Sequence, residues 1–182
     1  MSLSRGGVYG SLALMVLSLT AGCSSSQDKG ASGFLAVSVA GTGTPGVPLR
    51  SAVVTIVGIE ARRADGSWVV VDSGLPARVD LVSLANSAGS VTLPADGLPE
   101  GQYTALSVRL SRADVTLERG WKLTIGPPGN AWVAQIPVDF AVVAEQETIV
   151  GVTFGLDRTF RPDGDDVEFD PEPQIGSVRR LR

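Results

Sequence analysis

Residues 51–71 read SAVVTIVGIEARRADGSWVVV, and this stretch decides the fold. Ala52-Val53-Val54-Thr55-Ile56-Val57-Gly58-Ile59 is dominated by β-branched side chains, which are stiff at χ1 and favour a pleated strand. Ala64-Asp65-Gly66-Ser67 follows, and its Asp-Gly pair tolerates the positive φ of a tight hairpin turn. Trp68-Val69-Val70-Val71 then returns as a second strand. Gly58 interrupts the first strand, and the missing Cβ makes a bulge cheap there.

The same texture extends to both sides. Leu35, Val37 and Val39 alternate with Ala36, Ser38 and Ala40, and a Gly/Pro loop runs from Gly41 to Pro48. Ala77–Leu84 reads as a short strand ending near Asn86-Ser87-Ala88-Gly89. After Gly101-Gln102-Tyr103, Leu106, Val108 and Leu110 face one way while Ser107, Arg109 and Ser111 face the other. A tyrosine there packs its ring and turns its hydroxyl to a backbone group of the loop. Val115-Thr116-Leu117 and Trp121–Ile125 flank Glu118-Arg119-Gly120 as a second hairpin. Pro127-Pro128-Gly129-Asn130 is a break. Trp132, Ala134 and Ile136 alternate, as do Val138, Phe140 and Val142. Val150, Val152, Phe154 and Leu156 share a face, and Ile175–Leu181 forms a last edge strand. With no convincing amphipathic helix, eight to eleven short strands predict an all-β fold over residues 34–182, an antiparallel sandwich or a distorted barrel, of which the sandwich is the expectation.

The N-terminus has a different texture. Residues 1–7 carry Arg5, and a dozen apolar positions run from Val8 to Leu19, short of the roughly 20 that a membrane-spanning helix needs. Ala21 and Gly22 leave room for a peptidase beside Cys23, whose thiol can take a thioether-linked diacylglycerol. This segment resembles the bacterial lipobox, with Thr20 where leucine is usual. The expected division is a lipoprotein signal peptide (1–22), an acylated cysteine with a flexible tether (23–33), and the sandwich (34–182). Ser24 resembles the residue that permits sorting to the outer membrane in enteric bacteria. The expected location is therefore the cell envelope, with the membrane engaged through the N-terminal acyl chains, palmitate among them.

Composition narrows the chemistry. Beyond residue 22 the chain has 14 Lys and Arg against 19 Asp and Glu, which gives no electrostatic case for binding nucleic acid. There is no histidine, so the commonest general base and zinc ligand are missing. Acylation would consume the one thiol, leaving the fold to its core alone.

Taken in order, these pieces resemble the family catalogued as domain of unknown function 4382. The strand after the lipoprotein signal and the Val-rich strand leading to Trp68 come first. Val79-Asp80-Leu81 follows, then Leu98-Pro99-Glu100-Gly101-Gln102-Tyr103, the Val150–Leu156 strand and the Pro-bearing Phe169–Ile175 stretch. The resemblance covers residues 33–178 and implies a prealbumin-like or Ig-like sandwich on a bacterial surface. It implies no catalytic residue.

Seven of the nineteen acids lie between Asp157 and Glu172. Clustered carboxylates with a glycine between them are what Ca2+ requires, which makes Asp163, Asp165, Asp166, Glu168 and Asp170 the candidate ligands. The spacing is not that of an EF-hand, and the competing reading is a solvated edge kept soluble by charge. No cofactor is expected apart from that Ca2+. Trp68, Trp121 and Trp132 read as core residues, against a glycan-stacking platform. Arg179, Arg180 and Arg182 read as a frayed tail. The expected function is a non-enzymatic, lipid-anchored envelope module contacting an envelope protein or a glycan. Ca2+ or glycan binding is its alternative, and a two-carboxylate hydrolase is the weakest of the three readings. Mass spectrometry of the mature protein should find its N-terminus at Cys23 carrying acyl chains; an unmodified chain beginning earlier would remove the anchor.

Overall fold

The computed structural model describes residues 30–71, 74–164 and 166–181; Cys23, the proposed signal peptide and Asp165 lie outside them. Strands β1 (Ser32–Thr42) and β2 (Leu49–Arg63) open the domain, and β3 (Trp68–Val70) returns along β2. Strand β4 (Ala77–Asp80) runs directly into helix α1 (Leu81–Ser87). Short strands β5 (Ser90–Thr92) and β6 (Asp96–Pro99) precede the longest strand, β7 (Gly101–Leu117). Strands β8 (Lys122–Ile125), β9 (Trp132–Val142) and β10 (Glu147–Gly155) follow. A single helical turn, α2 (Leu156–Thr159), leads into the hairpin β11 (Phe160–Asp163) and β12 (Asp166–Phe169), and β13 (Pro173–Leu181) closes the chain.

Two sheets pack face to face. The first has the order β13-β10-β1, with β5 and β6 sharing the far side of β1. The second is built on the β2–β7 pair, with β3 and β4 along the outer side of β2 and β8 and β9 along that of β7. Leu35, Val37 and Val39 of β1 and Val150, Val152 and Phe154 of β10 point inward from the first sheet. They meet Val54 and Ile56 of β2 and Leu106, Val108 and Leu110 of β7, in one continuous buried cluster. Each such side chain contributes about 1.5–3 kcal/mol on leaving water, and no disulfide assists them.

The all-β sandwich is as the sequence predicts, and so is much of its detail. The β2–β3 hairpin turns at Gly66, whose φ is +90°. The pairing of β2 with β7 slips on either side of Ile56, next to Gly58. Gly58 has a second reason to lack a side chain. The Arg109 guanidinium lies across it, where a Cβ would come within 2.6 Å of Nε, on the way to Glu60 at 3.5 Å. Tyr103 is fully buried, stacks on Phe140 at 5.1 Å and donates its hydroxyl proton to the Pro99 carbonyl at 2.8 Å. Burial pushes its pKa up.

Other details differ from the sequence reading. Residues 77–84 are not one strand: the chain leaves the sheet at Asp80 and forms α1. One Asp80 oxygen accepts from the N–H groups of Val82 and Ser83, capping the helix, and also from Ala52 N–H of β2. The other accepts from the Ser51 hydroxyl at 2.9 Å. Gly41 of β1 allows the helix in, since a Cβ there would strike the Leu81 carbonyl. The sandwich is also not wholly antiparallel, because β1 and β10 run parallel. Arg179 and Arg180 are not a frayed tail; they pair with Ile149 and Thr148 on β10, and Arg182 lies outside the described residues.

The direction of β1 defines two ends of the molecule. Ser32 enters beside Glu100 and Glu145, whose N–H groups donate to the Ala31 and Ser32 carbonyls. Ten residues later, about 30 Å along the strand, β1 finishes beside the end of β10. The loop that follows touches the far end of β7, where Glu118 N–H donates to the Pro48 carbonyl at 3.0 Å. Asp80→Ala removes the helix cap and two bonds to β2 together. It should cost about 2 kcal/mol, lowering the melting temperature by about 4–8 °C, with Asp80→Asn retaining part of the stability. Melting by circular dichroism checks this.

Candidate functional site

At the end remote from Ser32, two tight turns face each other. The first joins β7 to β8. Leu117 N–H donates to the Trp121 carbonyl at 2.8 Å and Gly120 N–H to the Leu117 carbonyl at 2.9 Å. Gly120 takes a φ of +88°, so Glu118 and Arg119 project at the apex. Trp121 closes the turn with 68 % of its surface exposed.

The second is the β11–β12 hairpin, which turns at Gly164 with a φ of +59°. Its alternation is clean: Val167 and Phe169 are buried, Asp166 and Glu168 exposed. Phe160 and Phe169 lie 5.2 Å apart, and Phe169 meets Trp132 of β9 edge-on at 4.7 Å. These three rings fasten the hairpin to the sandwich, and such pairs add about 0.5–1.5 kcal/mol each beyond the area they bury.

Between the turns lies a cleft of about 440 Å3. Val47, Pro48, Leu117 and Pro162 supply apolar lining, while Glu118, Arg119, Trp121 and Asp166 bring polar and aromatic groups to it. An apolar surface with a few convergent polar groups is the usual make-up of a ligand site, and the volume lies within the ~300–1,000 Å3 such sites span. A second hollow of about 420 Å3 lies between β9 and β13, beside Gln102, Asp139, Arg179 and Arg180.

The acidic segment is arranged differently from a closed cation cage. Asp163 and Asp166 are cross-strand partners at the hairpin tip, and Asp166 also lines the cleft. Glu168 and Asp170 turn to Arg161, whose Nε lies 3.4 Å from Glu168 and whose Nη2 lies 2.7 Å from Asp170. Asp165 and Cys23 lie outside the described residues. Among the described residues, no three His, Cys, Asp or Glu side chains converge as a metal would require.

The tryptophans correct the sequence reading. Trp132 is partly buried, as expected, but Trp121 is exposed and Trp68 is 37 % exposed on the outer face of the second sheet. Their alternating context suggested a buried face. Trp121 instead belongs to the turn, one residue before β8 begins, so the strand pattern never governed it.

The family model described as Domain of unknown function (DUF4382) matches residues 35–171, and the chain belongs to that family. The match runs from within β1 to just beyond β12, so both walls of the cleft lie inside it and β13 lies outside. No curated protein and no solved structure matches the chain. Because Arg161 already pairs with two of the five candidate ligands, the melting temperature should move by less than about 1 °C in millimolar CaCl2. A rise of several degrees would restore the cation site.

Proposed function

We propose that this chain is a non-enzymatic, lipid-anchored module of the bacterial envelope that engages a ligand through the Trp121 cleft. The observation that carries the reading is the position of that cleft, about 30 Å along β1 from the end where the chain enters the domain. Cys23 precedes Ser32 by nine residues, too few to hold the domain far from a bilayer. An anchor there holds the Ser32 end within about 15–20 Å of the headgroups and leaves the Trp121 end free to face away from them. Two acyl chains make such an anchor stable, at about 0.8 kcal/mol per buried methylene.

A binding role agrees with the chemistry of the chain. It has no histidine, and its one thiol is assigned to the anchor. What remains for recognition is aromatic rings, guanidinium groups, carboxylates and hydroxyls. Trp and Arg are enriched among the residues that dominate binding energy, and Trp121 and Arg119 sit together on the cleft.

The test is retention of the purified acylated chain, in detergent, by washed cell envelopes. Trp121→Ala should lower retention at least about fivefold while the melting temperature stays within about 2 °C, because an exposed side chain contributes little to folding. Equal retention by the two proteins would remove the cleft from the function.

A further inference from the structure

We propose that the Trp121 cleft binds an uncharged saccharide, with the indole stacked on a pyranose face and Glu118, Arg119 and Asp166 bonding its hydroxyls. This rests on the binding role proposed above and names the ligand's chemistry. Three observations select that ligand from the alternatives.

The first is the exposed indole. Trp121 keeps 68 % of its surface in solvent, whereas Trp132 packs against Phe169. An exposed indole offers a flat, weakly polar face suited to the C–H bonds on one side of a sugar ring. Pro48 and Pro162, also on the cleft, add apolar surface without N–H groups. An extended peptide seeking a backbone ladder finds no donor at either proline.

The second is the mixture of charges. Two carboxylates, Glu118 and Asp166, share the cleft with one guanidinium, Arg119. A wholly apolar ligand would strip water from all three and leave them unpaired. Hydroxyls satisfy both kinds, donating to the carboxylates and accepting from the arginine.

The third is the sign of the field. Asp163 stands across the hairpin from Asp166, adding a further carboxylate beside the cleft. The sequence as a whole has a net charge of −4. Arg119, and Arg50, whose Nη2 donates to the Glu118 carbonyl at 3.4 Å, offset part of that charge, so uronates, phosphorylated glycans and other polyanions gain no net attraction here, and neutral sugars need none.

The experiment uses the full mature chain in a detergent without a sugar headgroup, followed by calorimetry and tryptophan fluorescence. The probes are chitohexaose, cellohexaose and maltohexaose, with polygalacturonate and a proline-rich peptide as the competing classes. Saturable binding of at least one neutral hexasaccharide is expected. It should weaken about tenfold or more in Trp121→Ala and stay within about threefold in Trp121→Phe, which keeps an aromatic face. Failure of every neutral probe, an unchanged affinity in Trp121→Ala, or binding of polygalacturonate or the peptide alone would overturn the assignment. If no sugar binds but Trp121→Ala still loses envelope retention, the saccharide falls and the binding role stands. If neither measurement responds to Trp121→Ala, both fall.

Discussion

The seating of β1 beside β10 is the constraint on which the rest of the sandwich depends. Nine residue pairs run in parallel register, from Phe34 with Glu147 to Thr42 with Gly155. On its other side β1 accepts β5 and β6, so the first strand of the domain is an interior strand of its sheet. Its inward residues Leu35, Val37 and Val39 complete the core against β2 and β7. The first sheet therefore cannot close until more than a hundred residues have followed β1, and loop-closure entropy makes such pairing slow to form. No disulfide shortens that search.

The same ladder positions the cleft. Because β1 and β10 finish together, the segments that leave them, residues 43–48 and 156–169, lie at one end. Gly46 fits closely beside the Phe160 carbonyl, and Pro48 receives a hydrogen bond from the turn that carries Trp121. The Phe160–Phe169–Trp132 cluster then fixes the hairpin wall from beneath. Both walls are turns, yet each is tied to the core by backbone bonds or by stacked rings. A rigidly held rim reduces the entropy a ligand must overcome.

Much of the fold was legible because strand pattern and turn chemistry agree. The Asp65-Gly66 turn, the irregularity at Gly58, the hairpin around Glu118-Arg119-Gly120 and the tyrosine bonded to its own loop were all readable. What escaped has physical reasons. Asp80 reads as the middle of a strand over residues 77–84, and its capping of α1 shows only when its carboxylate meets both Val82 and Ala52. The parallel partner of β1 is remote in sequence, and alternation carries no information about strand direction. Composition alone groups the acidic stretch, whereas Arg161, on the opposing strand, draws Glu168 and Asp170 away. Trp121 looked like a strand residue because β8 follows it, and the one-residue offset placed it in solvent.

An interior first strand has a mechanical consequence. Any pull carried through the N-terminal segment enters the domain along the axis of β1. Its hydrogen bonds to β10, β5 and β6 then resist together by sliding, instead of opening one after another as they would at a peeled edge. A first strand paired on both sides thus meets such a pull in shear and not by peeling.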